Sequence, residues 1–319
     1  MTAEAVLYNK SSLINVTAPT GGFTSGEILQ LCDGRAGYVA GLKNPLVADA
    51  VAIETEGQIT VAKIASLCVI DGCEIWWDRS AATATPLRTA DCFYLGTAIG
   101  DVAAAGTTIL VNLNKKPEYL IETNNPSKGR WVTEATNGLG VLQNTVGSPE
   151  FTLAFDAASE AAQAALYSAD TVPCADGPIF EAKVAIFDIG AAAVDCSIGL
   201  ANGSHATDFD AVTEAVLIHL DAASLNILAE SDDGTTEVAA TDTTVDAVDD
   251  TYFLIWIDCR DLTDIQIYIN AVNVLAATVF KLNAATGPLL PIAHIEKTSD
   301  AAVFDLRVEY MRVRTTDLT

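Results

Sequence analysis

Three features of the sequence predict an all-β protein. Between Gly22 and Asn114 the chain runs as short apolar segments broken by tight-turn signals. From Ile265 to Asn270 isoleucine falls on alternate positions, and Phe304, Leu306, Val308 and Tyr310 alternate with Asp305, Arg307 and Glu309, the period of strands with one buried and one solvated face. The only helix-compatible stretch, Ala157 to Leu166, is Ala-rich with Glu160 and Gln163 and is expected to form at most one short helix.

Taken in order, residues 1–21 hold scattered apolar residues without a period and read as an extended arm, a first edge strand or a frayed terminus. Asp33-Gly34 separates two apolar runs and signals a hairpin. Asp71-Gly72 stands before Cys73-Glu74-Ile75-Trp76-Trp77-Asp78, where two large rings adjoin. Successive strand residues point to opposite faces, so both rings cannot enter one small core, and one of Trp76 and Trp77 is expected to meet a neighbouring loop or a partner. The run from Gly100 to Asn114 closes the first part, and Lys115-Lys116-Pro117 follows it. A boundary near Asn114 gives domains 1–114 and 115–319. One near Ser148-Pro149 would instead leave Glu118 to Gly147 as a connector holding the strand-like Tyr119-Leu120-Ile121-Glu122.

A chain of 319 residues can bury two ordinary cores without covalent staples. Its seven cysteines (Cys32, Cys68, Cys73, Cys92, Cys174, Cys196, Cys259) are odd in number and form no Cys-x-x-Cys pair. They read as reduced, small hydrophobic residues of a protein made in a reducing cytoplasm. The N-terminal residues lack the basic and apolar regions of a signal peptide, so the sequons at Asn9, Asn15 and Asn202 read as chance matches. No apolar run approaches the roughly 18 residues of a membrane span, and a soluble protein is expected.

The net charge of −25 is unevenly placed. Residues 1–150 carry 10 Lys+Arg against 15 Asp+Glu, and residues 151–319 carry 7 against 27. Direct binding of nucleic acid is therefore disfavoured, since such affinity rests on neutralising phosphates with Lys and Arg.

Motifs for catalysis are missing. His205, His219 and His294 show neither His-x-His nor His-x-x-x-His spacing, and each reads as a structural or surface histidine. There is no Gly-x-Ser-x-Gly elbow, phosphate loop or dinucleotide fingerprint. No cofactor is expected. Hard oxygen ligands gather only around Asp232, Asp233, Glu237 and Asp242, with Asp246, Asp249 and Asp250 beyond, which makes the first four a weak Ca²⁺ candidate against the default of a solvated acidic loop. Trp131 and Trp256 could stack on sugar rings, although Trp256 sits within an apolar strand and reads as core.

The order of the Gly26-Glu27-Ile28-Leu29 strand, the Asp33-Gly34 turn, Glu54-Thr55-Glu56-Gly57, Ile75-Trp76-Trp77-Asp78 and the closing Leu95-Gly96-Thr97-Ala98-Ile99-Gly100 resembles the small β domain of tailed-phage capsid decoration (cement) proteins. That resemblance implies a small barrel-like or β-tulip domain over residues 1–114. In the second half, Ile179-Phe180-Glu181-Ala182-Lys183-Val184, Gly199-Leu200-Ala201, Asp232-Asp233-Gly234-Thr235, Tyr252 to Ile257, Ile265 to Val274 and Arg307 to Val313 resemble concanavalin-like (laminin-G-like) jelly-roll sandwiches. Many such domains turn at an Asn/Asp-Gly pair after the strand that here ends at Asn270, whereas Ala271 follows in this chain.

Together the two resemblances imply a non-enzymatic virion protein, assembled in the host cytoplasm. Its first domain would grip the major capsid protein on the outer surface of a phage head and stabilise the head against the pressure of packaged DNA. Its acidic sandwich would project outward. Trp76 and Trp77 are the contact candidates, and a homotrimer is implied because decoration proteins of this type commonly sit on three-fold positions. Two rivals stand beside this reading: an adhesin or tail-associated protein recognising host-surface glycans, and a polysaccharide hydrolase, which would need two carboxylates about 5 to 10 Å apart in a cleft.

Overall fold

The computed structural model describes residues 13–40, 46, 49–123, 125, 127–137, 140–143, 150–187, 194–204, 209–221 and 224–315. The chain divides into two compact units, Met1–Pro117 and Glu118–Thr319.

In the first unit, β1 (Leu13–Thr17), β2 (Ile28–Gln30), β3 (Ala36–Val39) and β4 (Ala50–Glu54) form an antiparallel sheet in the order β1-β4-β3-β2. Asp33-Gly34 makes the β2–β3 hairpin, with Gly34 at φ 89°, a conformation that costs a glycine little. Ala18, Val39, Val51 and Ile53 bury its inner face. A second sheet takes β5 (Gln58–Ala62), β6 (Glu74–Asp78), β7 (Thr83–Thr85), β8 (Cys92–Ile99) and β9 (Thr108–Leu113) in the order β5-β9-β8-β6-β7. A parallel bridge between Lys63, just past β5, and Ala84 of β7 joins its two edges, so the sheet closes on itself at that point. Asn114, at φ 57°, ties the two sheets of this unit together. Its Oδ1 accepts from Ala36 N, and its Nδ2 donates to Ala36 O and Thr55 O, each at 2.8 Å.

The second unit is an antiparallel sandwich. Its strands are β10 (Ile121–Glu122), β11 (Trp131–Thr136), β12 (Gly140–Gln143), β13 (Phe151–Phe155), β14 (Glu160–Ser168), β15 (Val172–Pro173), β16 (Ile179–Phe187), β17 (Val194–Ala201), β18 (Glu214–Asp221), β19 (Asn226–Asp233), β20 (Glu237–Asp246), β21 (Phe253–Asp258), β22 (Gln266–Ile269), β23 (Val272–Val274), β24 (Pro288–Asp300) and β25 (Phe304–Arg314). One sheet runs β12-β13-β25-β16-β21-β22-β23 with β10 beside β25, and the other β11-β14-β24-β17-β18-β19-β20 with β15 beside β24. Alternate residues of both, among them Phe155, Phe180, Ile198, Ile218, Ile255 and Ile295, form one apolar core.

The expected helix over Ala157–Leu166 does not form: from Glu160 onward the stretch lies in the strand β14, paired to β11 on one side and β24 on the other. Ala162, Ala164 and Leu166 fall on the core side, and this burial outweighs alanine's helical preference, which amounts to less than about 1 kcal/mol per residue. The β22–β23 connection is a two-residue turn in which Asn270 (φ 49°) and Ala271 (φ 61°) both take the left-handed conformation, so the hairpin forms without the glycine. Trp256 is 2% exposed, stands on the face of its strand away from the main core and lies edge-on to Tyr268 at 6.1 Å.

Candidate functional site

Trp76 and Trp77 divide between the two faces of the closed sheet. A bulge between Ile75 and Trp76 sets Trp76 opposite Tyr94 and Trp77 opposite Phe93. Trp77 shares its row with the buried Ala84 and Phe93. Trp76 packs edge-to-face on Tyr94 at 5.4 Å, and the Arg88 guanidinium lies 5.0 Å from its ring centroid. Both indoles are half-buried. The three side chains of the Trp76 group form an aromatic patch carrying one positive charge, the chemistry of an interface anchor.

The acidic residues around Asp232 are not drawn into one cluster. Asp233 is 2% exposed and faces inward. Its Oδ1 accepts from Thr235 N (3.0 Å) and Thr236 N (2.7 Å), and its Oδ2 from Ala284 N (3.3 Å). Burial pushes its pKa up, but these amides and the Lys281 charge outweigh that and hold it below the ordinary aspartate value. Asp232 points to the other face and accepts from Gly234 N, with Glu237 as its cross-strand neighbour. Asp242 accepts from Thr244 N and from Asn226 Nδ2. These carboxylates close turns and pin the edge strand β20.

The outer face of the second sandwich sheet carries a group of ionisable and polar side chains. Glu296, Asp195 and Asp221 stand in one cross-strand row over β24, β17 and β18, and His294, Ser197 and His219 form the next row. Phe209 covers the second row, its ring 5.1 Å from that of His294, and its backbone N donates to Glu296 Oε2 at 3.1 Å. His294 Nε2 bonds Gln163 Oε1 at 3.1 Å, and His219 Nδ1 stands 3.5 Å from Glu230 Oε1. Further along, Tyr167 donates to Glu134 at 2.6 Å. Beside Phe209 a cavity of about 230 Å³ opens over Leu217, Glu230, Asp232 and Glu237.

Comparison with known proteins bears on the first unit. Residues 9–113 match the family described as phage cement protein. That match spans a third of the chain and falls within the first unit. No curated protein sequence matches the chain significantly. Solved structures similar to it include the carbohydrate recognition domain of Emp46p in its potassium-bound form, with 11% identity and a TM-score of 0.39, covering 57% of this chain and 87% of that one. A β-1,3-glucanase from Mycobacterium marinum has 12% identity and a TM-score of 0.42, covering 62% and 99%. The exoplasmic/lumenal domain of VIP36, in a Ca²⁺/Man3GlcNAc-bound form, has 10% identity and a TM-score of 0.42, covering 62% and 89%.

Trp76 and Trp77 stand out in the sequence, whereas Tyr94 is set opposite Trp76 by strand register and Arg88 is brought there by the connection between β7 and β8. In the sequence His219 and His294 stand apart, with no metal-type spacing between them. Their grouping with carboxylates follows from strand register, and the only local hint is the His219-Leu220-Asp221 spacing, which sets two polar side chains on one face of an apolar strand. His205 lies outside the described residues.

Proposed function

We propose that this chain is a structural virion protein that binds the outer surface of a phage capsid through its first unit and stabilises the expanded head. The observation that carries this reading is the phage cement match over residues 9–113. The Trp76–Tyr94–Arg88 patch supports it, because a half-buried indole flanked by a cation gains most from desolvation against a partner. Charge supports it too, since residues 151–319 hold 27 of the 42 acidic residues and would be repelled by an acidic shell. The major capsid protein is thus the proposed partner of the first unit, with three copies acting together and the sandwich facing outward.

The test adds full-length protein to expanded heads lacking it, followed by sedimentation and heat challenge. The wild type is expected to co-sediment and raise heat resistance. Trp76→Ala is expected to weaken binding by about 2 kcal/mol, near thirtyfold, with the fold intact, whereas Trp77→Ala acts mainly on folding. A folded Trp76→Ala protein that binds as the wild type does, or a wild type that stays in solution, overturns the assignment. Cryo-electron microscopy of decorated heads reads copy number and orientation directly.

A further inference from the structure

We infer that Asp195, His219 and Asp221 form a divalent-cation site on the outer face of the sandwich, selective for a first-row transition ion such as Zn²⁺ or Mn²⁺. One ligand atom from each of these side chains lies within 4.8 Å of the others, a separation that a single ion can bridge. The sheet makes the arrangement. Asp195 on β17 is the register partner of Asp221 on β18, and His219 precedes Asp221 by two positions on the same face.

Three further observations point to a cation. Glu296, the register partner of Asp195 on β24, extends the row to three carboxylates on three adjacent strands, a concentration of oxygen ligands and negative charge that favours a cation. No Lys or Arg stands at an outer-face position of β17, β18 or β19, and Lys297 of β24 is turned inward, donating to Asp156 O and Ala158 O at 2.8 and 2.9 Å. Lys183, Arg312 and Arg314 belong to the opposite sheet and pair with Glu309 and Glu181, Arg260, just beyond β21, pairs with Asp258, and Arg130 pairs with Asp170 at the start of β11.

His219 supplies the selectivity. It is 7% exposed, so its ring is fixed by packing, while Asp195 is half-buried and Asp221 exposed, which leaves the site open on the solvent side. Glu230 of β19 stands 3.5 Å from His219 Nδ1, on the side of the ring towards Leu217 by register, whereas Asp195 and Asp221 lie on the other side. A carboxylate beside the imidazole adds negative charge next to the ligand set and favours a bound cation. One nitrogen with carboxylate oxygens suits Zn²⁺ or Mn²⁺ better than Ca²⁺, which takes six to eight oxygens.

The experiment is calorimetric titration of chelator-treated full-length protein with Zn²⁺, Mn²⁺ and Ca²⁺ separately, with a thermal melt at each end point. One saturable equivalent of Zn²⁺ or Mn²⁺ and a raised melting temperature are expected. Asp221→Asn, an exposed substitution that leaves the fold intact, is expected to weaken binding by about tenfold or more, and Glu230→Gln by a smaller factor. Absence of saturable binding below about 1 mM, or binding unchanged in the folded Asp221→Asn protein, overturns the site. Ca²⁺ bound as tightly as Zn²⁺ and Mn²⁺, with no loss in His219→Gln, overturns the role of the imidazole. All arms use free protein, so their failure leaves the capsid reading untouched.

Discussion

Replacing Asn114 tests how the first unit holds its two sheets together. In Asn114→Ala the amide of Ala36 and the carbonyls of Ala36 and Thr55 lose their 2.8 Å partner. Ala36 is 0% and Thr55 1% exposed, so water cannot replace the lost side chain without opening the structure. At about 1 kcal/mol for each deserted buried group, the bonds account for about 3 kcal/mol. Alanine at φ 57° adds roughly 1 kcal/mol that asparagine tolerates better. The expected loss is therefore about 4 kcal/mol. Asn114→Gly removes the bonds but relieves the strain and is expected to lose about 1 kcal/mol less than alanine. Asn114→Asp keeps the acceptor for Ala36 N yet turns a carboxylate against two carbonyls, so it is expected to be no better than alanine. Urea unfolding followed by peptide-resolved labelling of Cys73, which is 1% exposed in this unit, reads the local loss. A midpoint shift in Asn114→Ala equivalent to less than about 0.5 kcal/mol, the range of ordinary surface changes, would refute the reasoning. Equal losses in the alanine and glycine variants would remove the strain contribution.

Other expectations are independent of this one. Denatured protein is expected to titrate seven thiols, since all seven cysteines are free, and native Cys174, pushed up to about 11 by burial, is expected to resist alkylation at pH 8, with Cys196 and Cys259 shifted further the same way; recovery of defined disulfides would contradict this. In Gly96→Ala the added Cβ would stand 2.1 Å from Asn112 O, so strands β8 and β9 must part, and a loss of about 2 kcal/mol or more is expected in the same urea assay. Glu214 is held below the ordinary glutamate pKa by the Thr286 amide, with Gly287 N, Thr286 Oγ1 and Asn202 Nδ2 adding to it. Its contribution is complete above about pH 4.5 and is lost as pH falls through the lowered pKa of the folded state, so the stability gap between wild type and Glu214→Gln is expected to narrow below pH 4.5; a gap independent of pH would contradict the assignment.

The features legible in the sequence are those whose cause is local. Asp33-Gly34 specifies its hairpin because the positive φ is a property of that dipeptide, and the alternation from Phe304 to Tyr310 reports a face buried along the strand. That Trp76 and Trp77 part company likewise follows from the period of two. Features set by distant register were not legible. Ala157–Leu166 has helical propensity, but its neighbours β11 and β24 lie far along the chain and decide the conformation through burial. Asn114 looks like any loop residue until Ala36 and Thr55 are brought to it. Asp195 lies 24 residues before His219, and no spacing rule joins them; only the antiparallel pairing of β17 with β18 does. A β sandwich thus hides composite sites from motif reading more thoroughly than a helix does. A helix sets ligands three or four residues apart on one segment, whereas a sheet takes them from strands whose separation depends on the loops between them.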